Sequence, residues 1–316
     1  MKSIVWLLIG FALIFSISAC APSMEQAENT EVEITLSPTS TPRASATLDP
    51  SPTITLISSP TSTPTKVRKT PTASFSATPT SLPCWSQGGQ LEIREYYTSQ
   101  IENPLIFKIY LPPCYYQESE RHYPTLYLLH GLHYTENQWI RIGVVEKAND
   151  LMAQGEIPPF LIVMPRDENW DLPPVNKYGE SIVSELVPWV DSKYRTMPTQ
   201  AFRAIGGISR GGNWAINIGL QHWEMFSAIG AHSAPIFYSD GLRIPQWLEE
   251  IPSRKMPRIF LDIGEDDGYG DFTHQLEKIL VERGIPHEWH LNPGRHNEEY
   301  WREHLDQYLH WYSETW

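Results

Sequence analysis

The stretch from Arg203 to Gly212, RAIGGISRGG, restricts the fold more than any other part of this chain. A short apolar run, Ala204-Ile205, leads into Gly207-Ile208-Ser209-Arg210-Gly211, a G-x-S-x-G pattern with further glycines at Gly206 and Gly212. Residues 213–218 have the composition to continue as a helix. A strand that turns sharply into a helix through a serine forces that serine into a strained backbone, and glycines on either side let strand and helix approach closely. Taken alone, a serine between glycines is more often a plain turn. A strand before it, a helix after it and chemical partners downstream decide between the two.

The surrounding chain supplies the strands and helices. Thr125–Leu129 and 160–164 are continuous apolar runs, as expected of strands buried on both faces, and they end at His130-Gly131 and at Pro165. Residues 91–99 and 105–111 read as a hairpin, and 226–231, 258–263 and 288–291 as later strands. Helical spacing appears at 144–153, 181–194, 272–282 and 298–312, with a kink expected at Pro188. Strands alternating with helices predict an α/β fold: a mostly parallel central sheet covered by helices on both faces. Ligands in such folds sit at the carboxyl ends of the strands, where Gly131, Ser209 and Gly264 all fall.

Charge narrows the function. The net charge is −13 over 316 residues, and residues 84–316 hold 19 basic against 32 acidic side chains with no basic stripe, which excludes nucleic acid as a partner. The first 20 residues read as an export signal: Lys2, an apolar run from Ile4 to Ile17, then Ser18-Ala19 before Cys20. Ile17-Ser18-Ala19-Cys20 resembles a bacterial lipobox, so Cys20 is the expected lipidation site and a lipid-anchored cell-surface location follows, a plain secreted protein being the alternative. Residues 21–83 read as a disordered tether, since 32 of the 49 residues from Thr35 to Pro83 are Ser, Thr or Pro. Residues 84–316 form the globular domain. With Cys20 set aside, Cys84 and Cys114 remain as an even pair, a disulfide in an oxidising compartment or else two buried thiols.

A serine nucleophile needs a base, and the base an orienting acid. Downstream of Ser209, His296 lies in a loop between the last short strand and the last helix. His232, at the end of the strand after Ser209, is its main rival. Asp267, three residues beyond strand-ending Gly264, is the expected acid, with Asp266 the alternative and Asp262 inside the strand. Oxyanion donors are expected from the backbone N–H groups of Arg210 and Leu132. Trp139, Trp170, Tyr178 and Trp214 are candidate walls for a sugar or an aromatic acyl group. No metal and no cofactor is called for.

Seven ordered segments, YPTLYLLHG, PPFLIVMPR, ELVPWVDSKYRT, AIGGISRGG, FSAIGAHSA, FLDIGEDD and PGRHNEEYW, resemble the putative-esterase branch of the α/β-hydrolases between about residues 87 and 314. That branch includes feruloyl and acetyl-xylan esterases, S-formylglutathione hydrolase and mycolyltransferases. The resemblance implies Ser209 as nucleophile, Asp267 as acid and His296 as base. Many members carry a second glycine where this chain has Leu132, which keeps the N–H and alters the pocket wall. The expected activity is hydrolysis of carboxylic esters, in particular of acylated carbohydrate. An acyltransferase, or a surface binding module without activity, is the competing reading.

Overall fold

The computed structural model describes residues 83–316. The expected export signal, Cys20 and the tether up to residue 82 lie outside the described residues. Eight strands form one sheet: β1 (Gln90–Tyr96), β2 (Leu105–Leu111), β3 (Thr125–Leu129), β4 (Leu161–Pro165), β5 (Arg203–Ile208), β6 (Ala228–His232), β7 (Arg258–Gly264) and β8 (Glu288–Asn292). Their order is β1-β2-β4-β3-β5-β6-β7-β8. β2 pairs antiparallel with both β1 and β4, and every pair from β4 onward is parallel. This is the mostly parallel sheet the apolar runs predict. β3 to β6 are buried along their whole length, which is why they read as unbroken apolar stretches rather than as alternation.

The helices among the described residues are α1 (Gln138–Arg141), α2 (Val144–Gln154), α3 (Tyr178–Ser181), α4 (Val187–Lys193), α5 (Arg210–Gln221), α6 (Ile244–Glu250), α7 (Gly270–Glu282), α8 (Glu298–Glu303) and α9 (Leu305–Ser313). They cover both faces. One core gathers α3 to α7, with Ile182, Val187, Trp214, Ile218, Leu248 and Leu280, against Phe107, Tyr127, Ile205 and Leu261 of the sheet. The other gathers α1, α2, α8 and α9, with Trp139, Leu151, Trp301 and Tyr308, against Leu126, Ile162, Ala204 and Phe260.

Two helices depart from their expected form. The 181–194 helix begins earlier, at Tyr178, and holds a wide π turn at Ile182–Leu186 just ahead of Pro188. Proline has no N–H to donate, and the widened turn accommodates the missing bond. The 298–312 helix breaks at His304, where φ is −97° and ψ is 1°. His304 Nδ1 donates to the Tyr300 carbonyl at 2.7 Å, the oxygen that a continuous helix would offer to the His304 N–H.

Cys84 and Cys114 form a disulfide, with 5.0 Å between their Cα atoms. It joins the short turn Cys84–Gln87 to the segment after β2. Since β2 runs antiparallel to β4, with Phe107 opposite Pro165 and Tyr110 opposite Ile162, that bridge lies at the end of the sheet opposite the carboxyl ends of the parallel strands.

Candidate active site

Ser209 follows β5 directly and precedes α5, with φ 54° and ψ −120°. A non-glycine residue held there carries about 1–3 kcal/mol of strain. The neighbours that enforce it have no room for side chains. A Cβ on Gly207 would fall 2.2 Å from the Gly211 carbonyl carbon, and one on Gly211 would fall 2.2 Å from the Leu129 carbonyl oxygen. The turn is fixed further by the Ser209 N–H donating to the His232 carbonyl at 2.8 Å, while its own carbonyl accepts from Asn213 N–H at 3.0 Å. The half-buried hydroxyl is thereby presented above the carboxyl edge of the sheet.

His296 reaches this hydroxyl from the loop after β8, with Nε2 2.9 Å from Ser209 Oγ. Its Nδ1 donates to Asp267 Oδ2 at 2.8 Å. A carboxylate can only accept, so Nδ1 carries the hydrogen and Nε2 offers its lone pair to the Ser209 O–H. Asp267 is held in turn: its side chain is fully buried, and Oδ1 accepts from Tyr269 N–H at 2.9 Å. Asp266 points outward beside Arg295, with its side chain 70% exposed. Of the two carboxylates the sequence left open, Asp267 is the one the structure brings to His296. Trp301 stands edge-on to the imidazole with 5.1 Å between ring centres, and Tyr269 flanks it at 4.8 Å.

His232 does not compete for Ser209. The strand expected at 226–231 runs from Ala228 through His232, which puts that side chain inside the sheet rather than on a loop. It is fully buried and bonded to Asp262 at 2.7 Å and to Tyr312 at 2.9 Å.

The residues expected as oxyanion donors lie on segments adjoining Ser209. Arg210 opens α5, so its N–H has no acceptor within the helix. Leu132 lies beyond Gly131, whose Cβ position would be 3.5 Å from Ser209 Cβ. Gly131 is anchored by its N–H donating to the buried Gln138 Oε1 at 2.7 Å. The side chain of Arg210, which the sequence reading left without a role, clamps the loop after β4. Its guanidinium donates to Asp167 Oδ2 (3.2 Å) and to the carbonyls of Asn169 (2.9 Å) and Asp171 (2.7 Å).

Three of the four aromatic residues expected as substrate walls belong to the core. Trp139 is 1% exposed and donates to the Leu129 carbonyl at 3.0 Å. Trp214 is buried and donates to Asp167 Oδ2 at 2.9 Å, and buried Tyr178 donates to the Pro165 carbonyl at 3.2 Å. Apolar bulk near a strand end is needed by core and pocket alike, so the sequence could not separate them. Only Trp170 is exposed, at 63%, with its ring edge-on to His133 at 4.6 Å.

Sequence reasoning missed Asp167, although a carboxylate two residues past a buried strand is a recognisable signal. It ties together Arg210, Trp214 and Asn176, and its N–H donates to His130 Nε2 at 2.8 Å. His130 Nδ1 donates to the Gly131 carbonyl at 2.8 Å, so this imidazole is neutral, and burial pushes its pKa down. Among the described residues no three His, Cys, Asp or Glu side chains are grouped to hold a metal ion.

A strained serine elbow, an aligned Ser-His-Asp chain and an eight-stranded, mostly parallel sheet define an α/β-hydrolase with a serine-hydrolase site. The chain belongs to the family described as Putative esterase, whose model matches residues 98–312. It is 27% identical over 238 residues to an esterase of Mycobacterium tuberculosis, spanning 59% of this chain and 51% of that protein. It is 26% identical over 201 residues to an endo-1,4-beta-xylanase/feruloyl esterase of Xylanibacter ruminicola, spanning 57% of this chain and 27% of that one. The chain thus spans about half the length, or less, of these curated relatives. A solved ferulic acid esterase superposes with a TM-score of 0.65 at 26% identity, over 72% of this chain and 99% of its own. A ferulic acid esterase of Anaeromyces mucronatus shares the fold, with a TM-score of 0.61 at 20% identity.

Proposed function

We propose that this protein is a serine esterase that cleaves carboxylic esters through an acyl-enzyme, with acylated carbohydrate as its substrate class. The observation that carries the reading is the unbroken chain Ser209 Oγ, His296 Nε2, His296 Nδ1, Asp267 Oδ2, with links of 2.9 and 2.8 Å at a strained elbow. In the first step Ser209 Oγ attacks the ester carbonyl while His296 Nε2 takes the hydroxyl proton. The N–H groups of Leu132 and Arg210 hold the oxyanion, and Asp267 supports the imidazolium. The proton then passes to the departing alkoxide. Water repeats the sequence on the acyl-enzyme and frees the carboxylic acid.

Sheet order orients the substrate. Asp267 and His296 follow β7 and β8 on one side of β5, whereas Leu132, His133 and Trp170 follow β3 and β4 on the other. The leaving alcohol must meet His296, so it lies on the β7–β8 side and the acyl group extends toward His133 and Trp170. The exposed indole of Trp170 offers a face to a planar acyl group. Relatives named as feruloyl esterases favour a hydroxycinnamoyl ester. An oxidising, extracytoplasmic location accords with the Cys84–Cys114 bond and the signal-like N-terminus.

Turnover of p-nitrophenyl acetate should vanish in Ser209→Ala while the fold persists by circular dichroism. A panel of acetyl, feruloyl and longer acyl esters of a sugar, with and without acceptor sugars, then reads the acyl preference and separates hydrolysis from transfer. Wild-type protein that cleaves none of them contradicts the reading. Fractionating the producing cells tests the location: activity confined to the cytosol argues against export.

A further inference from the structure

Behind the catalytic groups lies a second polar cluster that the esterase reading leaves without a task. Asp262, in β7, is fully buried, and its carboxylate accepts three hydrogen bonds. His232 Nδ1 donates to Oδ1 at 2.7 Å, and the hydroxyls of Tyr300 and Tyr308 donate to Oδ2 at 2.8 and 2.6 Å. His232 stacks on the Tyr308 ring with 3.7 Å between centres, and its Nε2 faces Tyr312 Oη at 2.9 Å. The hydroxyl of Tyr312 is pressed against β5 and β6, where a Cβ on Gly206 or Gly230 would fall 1.7 or 1.8 Å from it.

Proton accounting assigns one state to this cluster. All three contacts to Asp262 bring hydrogens, so the carboxylate is ionised. His232 Nδ1 carries a hydrogen for Asp262. Among the described residues Tyr312 Oη has only His232 Nε2 as a hydrogen-bond partner, so its O–H is satisfied only by donating there. The imidazole is therefore neutral, and one buried negative charge is shared among donors from β6, α8 and α9. Isolating such a charge from water is costly without full pairing, which makes the cluster intolerant of losing any member.

Its backbone connections lead to both catalytic partners. The register aligns Ile208, His232 and Asp262 across β5, β6 and β7. The next bond in that ladder runs from the Ser209 N–H to the His232 carbonyl at 2.8 Å, and Ser233 N–H donates to the Asp262 carbonyl at 2.8 Å. On the other side, Asn297 follows His296 directly and caps α8 by accepting from Tyr300 N–H at 3.0 Å. Trp301, the ring that abuts His296, donates to Ser233 Oγ at 3.1 Å.

We propose that the Asp262–His232–tyrosine cluster is a positioning device that sets the distance between Ser209 and His296. It fixes the nucleophile through the His232 backbone and the base through Tyr300 and Trp301. Asp262, His232, Tyr308 and Tyr312 are positioning residues, since none touches the reacting atoms. The assignment rests on the esterase reading and adds to it a requirement for a residue set remote from the chemistry.

The test measures kcat and KM on p-nitrophenyl acetate per active site, counted by fluorophosphonate titration, for wild type, Asp262→Asn, Tyr308→Phe and Tyr312→Phe. A misplacement near 1 Å costs on the order of 100-fold in rate. Asp262→Asn should therefore lose about 10- to 100-fold in kcat per titrated site with KM within about 3-fold, and the rate of fluorophosphonate labelling should fall in parallel. Tyr308→Phe keeps the charge and removes one donor, so it should show the same split at smaller size even if Asp262→Asn does not fold. Variants that melt earlier yet retain wild-type kcat per titrated site would make the cluster a scaffold and overturn the proposal, with the esterase reading intact. A wild-type enzyme without turnover or labelling would end both.

Discussion

At the scale of single residues, two aspartates one position apart have opposite fates, and this difference is the sharpest check on the acid. Asp267 is drawn under His296 with its side chain sealed from water, while Asp266 turns out toward Arg295. Asp267→Asn should lower kcat by roughly 10³- to 10⁴-fold, because an amide donating to Nδ1 would favour the wrong tautomer. Asp266→Asn should stay within about 2-fold. Stopped assays on a p-nitrophenyl ester compare the two, and equal losses would refute the assignment.

His130 makes a pH prediction of definite sign. Burial lowers its pKa in the folded state, so below the unfolded value, about 6.5, the unfolded chain binds a proton that the native protein refuses. Stability is intact above that value and falls as the pH drops from about 6.5 through the depressed native pKa. Protonation would also remove the acceptor for the Asp167 N–H and loosen the loop that Arg210 clamps. Thermal melts between pH 7 and 5 should show a falling midpoint, with a shallower slope in His130→Gln.

At the scale of elements, the central strands β3 to β6 were legible because burial on both faces leaves an unmistakable apolar run. The order strand, Ser209, helix was legible because glycines mark where backbones nearly touch. What could not be read were side-chain partnerships distant in sequence. His232 looked like a possible base because its real partners, Asp262 and Tyr312, lie 30 and 80 residues downstream. The break at His304 interrupts a stretch whose apolar spacing is helical throughout, so that spacing does not encode it. The cysteine pair was legible by count alone, and its placement allows a clean separation of stability from activity. The bridge spans 30 residues, worth about 3 to 4 kcal/mol in the chain-entropy account, and lies at the end of the sheet away from Ser209. Cys84→Ser with Cys114→Ser should lower the melting temperature and leave kcat and KM at 25 °C unchanged. A matching loss of kcat would mean the bridge bears on the site.

At the scale of the whole molecule, one sheet sets out every functional group by strand order. In the proposed mechanism β3 and β4 carry Leu132 and Trp170, β5 carries the nucleophile Ser209, and β7 and β8 carry Asp267 and His296 as acid and base. The two cores lock this edge from opposite faces, Trp214 beneath Asp167 on one and Trp301 beside His296 on the other. This arrangement singles out Ser209 among the serines of residues 83–316 as the proposed nucleophile. Intact-mass and peptide mass spectrometry of protein treated with a fluorophosphonate tests it most directly. One adduct per chain is expected, on Ser209, absent from Ser209→Ala and strongly slowed in His296→Ala. No adduct on the wild type, or one that persists in Ser209→Ala, would contradict it.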